Sequence, residues 1–142
     1  MFEGFTRRRL DADGVAINAV TGGSGPPLLL LHGYPQTHVT WHKVAPMLAG
    51  QFSVVVPDLR GYGDSDKPPG GTGGAAYAKR VMAADMVTAM AALGHERFHI
   101  AGHDRGGRVA YRLALDHSER VIRLATLDII PTLEQFERMG KG

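Results

Sequence analysis

The sequence predicts an α/β domain with a mostly parallel sheet flanked by helices, and three observations carry that prediction. Short, wholly apolar runs recur in "PPLLLLHG", in "FSVVVPD" at 52–58 and in "RFHIAGHD" at 97–104. Runs of this kind suit strands buried on both faces, as in a parallel sheet covered by helices. Longer stretches with helical spacing lie between them, so from residue 27 the order reads strand, helix, strand, helix, strand, helix, strand. Such alternation implies parallel strands joined by right-handed crossovers. Finally, 142 residues that are 44% hydrophobic and 21% charged fit a single domain able to bury a real core.

Each element has a local reason. The N-terminal "MFEGFTRRRLDADG" has charge where a signal peptide needs its apolar centre, and Arg7-Arg8-Arg9 reads as a solvated strand or terminus. After a turn at Asp11 to Gly14, "GVAINAVTGG" alternates apolar and polar residues as a half-exposed strand does. "HVTWHKVAPMLAG" places Val39, Val44, Met47 and Leu48 at helical spacing, with Pro46 requiring a kink or a late start. "LRGYGDSDKPPGGTGG" reads as a long surface loop, not a phosphate loop, because its Lys follows no glycine-spaced cradle. "AAYAKRVMAADMVTAMAALG" predicts a helix rich in Ala and Met and stopped by Gly94. "GGRVAYRLALDHSER" predicts the third helix, "VIRLATLDII" the last strand, and "TLEQFERMGKG" the start of another helix.

Composition narrows the function classes. A net charge of +2 with scattered basic residues lacks the stripe that nucleic acid requires. The absence of cysteine excludes a disulfide scaffold and thiolate metal sites, and suits a reducing compartment, so a cytoplasmic location is expected. No apolar run is long enough to span a bilayer, and no membrane role is expected. His38 with His42, and His95 with His99, lie four apart, but no third ligand completes either pair. Neither a metal nor an organic cofactor is expected.

The chemistry concentrates in "GHDRGGR", residues 102–108. In open α/β sheets, ligands meet the carboxyl ends of the strands, which is where this stretch falls. Gly102-His103-Asp104-Arg105-Gly106 has the form of a nucleophile elbow, a sharp strand-to-helix turn presenting one side chain, with Asp in place of the usual Ser. The simpler reading is that Asp104 caps the following helix. The flanking glycines, the apolar strand before them, and a "LLLLHGYP" turn able to supply an oxyanion amide favour the elbow. Arg105 and Arg108, three apart, share a face of the first helical turn, and guanidinium forks match a carboxylate. Exposed helical charge is the alternative for both.

"LLLLHGYPQTHVTWHKVAPMLA", "DLRGYGDSDKP", "GHDRGGRVAYRLALD" and "LDIIPT" together resemble the α/β-hydrolase superfamily, and within it the haloacetate (fluoroacetate) dehalogenases. Haloalkane dehalogenases and epoxide hydrolases also place Asp at the elbow but typically follow it with Trp, whereas Arg105 matches the haloacid branch. The resemblance implies that Asp104 attacks a haloacid to form an aspartyl ester, with Tyr34 and Arg105 as oxyanion amides and Arg105 with Arg108 holding the substrate carboxylate. It also implies Asp128 as the acid that orients a catalytic His. Read without the resemblance, Asp128 is a strand-end turn residue before Pro131.

None of the seven histidines suits the role of base. In the family that residue comes late, after a helical cap, so the expectation is a single N-terminal portion of the core, residues 1–142, lacking the cap and the last strands. Its final strand then forms an apolar edge, inviting a second copy or a complementing C-terminal segment. Two further functions stay open: an epoxide hydrolase, or a non-catalytic half-domain that binds carboxylates or assembles with another chain.

Overall fold

The computed structural model describes residues 1–140 and shows the expected sheet with helices on both faces. β1 (Thr6–Ala12) and β2 (Val15–Gly22) form an antiparallel hairpin. Its two turn residues, Asp13 and Gly14, both have positive φ, and the Gly14 amide donates to Asp11 Oδ1 at 2.9 Å. That conformation is the one whose twist matches paired strands. The arginine triplet is therefore strand, exposed along β1. β2 lies between β1 and β4 (Ser53–Pro57) and is buried at Ile17–Val20, not half-exposed as its alternation suggests, because Ile17 and Ala19 pack with Met82 and Met86 while Val20 packs with Leu28 and Val54 and Asn18 is held by Asp58.

The sheet order is β1-β2-β4-β3-β5-β6, in which β3 is Pro27–Leu31, β5 is Phe98–His103 and β6 is Val121–Leu127. The β4, β3, β5 and β6 strands run parallel; β2 joins β4 antiparallel. β3 shows why an apolar run suits this position. Leu29 and Leu31 face one cluster with Ile17, Met86, Phe98 and Leu113, while Leu28 and Leu30 face another with Val54, Val56 and Trp41. Each leucine buried this way contributes roughly 1.5–3 kcal/mol.

The first helical stretch divides. A short 3-10 turn covers His38–Trp41, and α1 begins only at Val44 and ends at Leu48. Pro46 thus sits in the first turn, where its missing N–H costs nothing. α2 (Lys79–Ala92) also starts later than its composition suggests, because Thr72–Tyr77 wind as 3-10 turns and Ala78 is extended, with φ −58° and ψ 143°. The loop before it is anchored from below: Arg60 forms a buried two-pronged ion pair with Asp85 of α2. α3 (Arg105–Asp116) follows β5 directly, and α4 (Thr132–Met139) follows β6. No helix among the described residues is long and apolar enough to cross a membrane.

Candidate active site

The strand ends bring three aspartates to one edge of the sheet, and their surroundings separate their capabilities. Asp58, just past β4, is fully buried and fully engaged: His38 approaches Oδ1 through its ring Nδ1 (2.8 Å) and its amide (2.7 Å), while Asn18 and the Asp64 amide donate to Oδ2. Burial opposes its charge, but the His38, Asp64 and Asn18 contacts outweigh it and hold the carboxyl well below the ordinary range. With its carboxylate spent on four contacts, Asp58 is an organising group.

Asp104 is different. It occupies the corner between β5 and α3 with φ +50° and ψ −119°, a conformation that non-glycine residues rarely adopt. Neighbouring glycines make the corner possible. A Cβ on Gly102 would meet the Gly106 carbonyl oxygen at 2.3 Å, and one on Gly106 would meet the His32 carbonyl oxygen at 2.4 Å. Its side chain makes no capping bond to α3, so the helix-cap reading fails. Oδ2 instead accepts the Tyr34 amide at 2.8 Å. Burial raises its pKa, yet the amides of Tyr34 and Arg105, and then the neighbouring His103 and Arg105, outweigh burial and hold the carboxyl below its ordinary value.

The turn supplying the Tyr34 amide is itself braced. His32 is buried, with one ring nitrogen against the Gly33 carbonyl (2.9 Å) and the other accepting the Leu59 amide (3.0 Å). Burial is the main influence on this ring and lowers its pKa, consistent with a neutral structural imidazole. Gln36 Oε1 accepts the Gly33 amide at 3.0 Å and lies 3.1 Å from His103 Nδ1. The sequence offered no signal for this Gln36 bridge.

Arg105 and Arg108 leave the same helical face but reach different neighbours. Arg105 lies over the Tyr34 ring at 4.3 Å and donates to the Tyr62 hydroxyl at 3.2 Å. Arg108 donates to Gln135 of α4, and its Nε is buried without a partner. The two forks do not converge on one point in this structure. Asp128, at φ +55° just beyond β6, is largely exposed, with His103 Nε2 3.8 Å from its Oδ2. Among the described residues no imidazole hydrogen-bonds to Asp104, and no cluster of metal-ligating side chains forms.

A mostly parallel sheet in which an interior strand turns through a positive-φ aspartate into a helix, beside a braced turn offering an amide, has the strand–turn–helix arrangement of the α/β hydrolases. Residues 26–141 match the family model for the alpha/beta hydrolase fold, and the chain belongs to that family. It is 56% identical over 141 residues to a fluoroacetate dehalogenase from a Burkholderia species, covering 99% of this chain and 46% of the relative. A soluble epoxide hydrolase from Corynebacterium sp. (strain C12) is 45% identical over 128 residues, covering 90% and 43%. The crystal structure of a proposed alpha/beta hydrolase from Nostoc sp PCC 7120 superposes with a TM-score of 0.95 at 56% identity, covering 96% of this chain and 47% of that one. The chain thus spans about half the length of the curated relatives it matches.

Proposed function

We propose that the protein performs hydrolytic dehalogenation of a small 2-haloacid, converting a haloacetate to glycolate and halide. The observation that carries the proposal is an uncapped Asp104 at the strand-to-helix corner, accepting the Tyr34 amide, with arginines at the next position and three beyond that one. The Asp104 carboxylate attacks the carbon bearing the halogen; the carbon–halogen bond breaks, halide leaves, and an ester joins Asp104 to the acid. Water then adds to the ester carbonyl, glycolate departs, and a base takes the proton released. The amides of Tyr34 and Arg105 would hold the oxyanion, a contribution of about 3 kcal/mol for each donor. Arg105 and Arg108 would close on the substrate carboxylate from their present separate partners. Asp128 would orient the imidazole that serves as base.

In this reading residues 1–142 are the N-terminal portion of the core, in a cytoplasmic enzyme without metal or organic cofactor. The free edge of β6 is completed by a C-terminal segment or a second copy. The relatives also include an epoxide hydrolase; Arg105, a cation beside the nucleophile, favours an anionic substrate over a neutral epoxide.

Intact-mass measurement after incubation with chloroacetate tests the chemistry on this chain. The expected result is a stable gain of one carboxymethyl group, abolished in Asp104→Ala, since no imidazole is placed against Asp104 to clear the ester. Halide release without an adduct would place a working base in the chain. Neither adduct nor halide would leave a carboxylate-binding or assembly module.

A further inference from the structure

Many of the chain's basic side chains are already paired with acids. Arg7, Arg9, Arg60, Arg80, Arg112 and Arg120 each meet a carboxylate in an ion pair. Around the elbow the pattern inverts. A cleft of about 360 Å³ is lined by Lys67, Lys79 and Arg105 together with Tyr34, Tyr62 and Tyr77, with no acidic side chain on its wall among the described residues.

Within that cleft the cations differ in what they already do. Lys67 donates to the carbonyls of Gly63 and Ser65, so its ammonium fastens the loop. Arg105 rests on Tyr34 and Tyr62. Lys79, half-buried at the first turn of α2, has only the Met82 sulfur at 3.9 Å, a weak acceptor for a charged donor. Burial first, and then the charges of Arg105 and Arg108, push its pKa down, while Asp104 pulls the other way. A half-buried ammonium surrounded by like charge is costly, and an anion placed between Lys79 and Arg105 relieves that cost.

We infer that this cleft is a binding position for small carboxylates, with the Lys79 ammonium and the Arg105 guanidinium as its paired donors and Tyr62 and Tyr77 as its walls. It rests on the haloacid reading of the site and extends it: the carboxylate is captured first beside the nucleophile, in a cleft whose charged side chains are all basic. Concentrated charge in a walled cleft raises the local concentration of an anionic substrate and the rate at which it arrives.

Acetate is the probe, because it has the carboxylate and no leaving group. Calorimetric titration of acetate into the full chain is compared with Lys79→Gln, Lys79→Arg and Arg80→Gln, while the ε-carbon signals of labelled lysines report the Lys79 environment. The expected result is about tenfold weaker binding in Lys79→Gln, the worth of one hydrogen bond to a charged group. Lys79→Arg should bind nearly as the parent does, and acetate should raise the Lys79 pKa. Arg80→Gln, which removes the same charge one residue along α2 and outside the cleft, should leave the affinity unchanged. Equal losses in Lys79→Gln and Arg80→Gln, an unchanged affinity in Lys79→Gln, or binding of chloride with acetate inert would each overturn the inference. Acetate binding through Lys79 with neither a chloroacetate adduct on Asp104 nor halide release would sink the dehalogenation reading alone; an adduct without Lys79-dependent acetate binding would sink this one alone.

Discussion

β3 and β6 lie on opposite sides of β5, run parallel to it, and are both rich in aliphatic residues, yet one is sealed and the other open. Leu28 to Leu31 of β3 are all buried. In β6 every residue after Val121 is exposed, with Ile122, Leu124 and Leu127 each about 40% accessible. The exposed apolar surface continues into α4 through Leu133, Phe136 and Met139. The difference teaches that an apolar strand records the neighbours it is made for, and β3 has them on both edges and both faces while β6 has β5 on one edge and α3 packed against it.

Substitutions can break or sharpen that contrast. The largest effect is expected on the sealed side from Asp85→Ala, which strands the buried Arg60 charge and should cost about 3–5 kcal/mol in denaturant unfolding. Leu31→Ala should follow at about 2–5 kcal/mol, because the cavity it leaves is walled by β4, β5 and α3. If either variant loses under about 1 kcal/mol, the sealed side is less tightly packed than its burial implies.

Acid should also weaken the sealed side. The folded-state pKa of Asp58 lies below its unfolded value, so its stabilising contribution is full above the ordinary carboxylate pKa and fades as pH falls below about 4. Asp58→Asn should flatten that acid limb in a series of thermal melts; a limb that stays as steep would shift the responsibility to other carboxylates. The smallest stability change is expected at the open edge, where Leu124→Lys should move unfolding by less than about 1 kcal/mol while reducing self-association in sedimentation. Sedimentation unchanged by that lysine would remove β6 as the surface of assembly.

Much of the sheet side of this comparison was legible in the sequence, since buried parallel strands need no polar face and announce themselves as apolar runs. The openness of β6 was foreseen only through the family resemblance; its residues alone read as one more buried strand. Boundaries failed where local chemistry overrode composition: the extended Ala78 delays α2, and packing on both faces of the sheet buries the centre of β2 despite its alternation. In the site, the elbow was legible because glycine requirements are sequence-local. The Gln36 bridge, the four contacts on Asp58 and the isolation of Lys79 were not, because each depends on partners brought from distant elements.

The corner at residue 104 has one more consequence. Its left-handed backbone is imposed by the close approach of Gly102 to Gly106 and of Gly106 to the His32 carbonyl, not by anything the aspartate side chain contributes. The scaffold therefore specifies a place for a reactive group without specifying the group. On the reaction proposed for Asp104, a serine set there would meet the same Tyr34 amide and the same helix end, but would attack acyl carbon in place of saturated carbon. Under that proposal a change in the attacking atom lies one substitution away while the glycines that shape the corner stay in place.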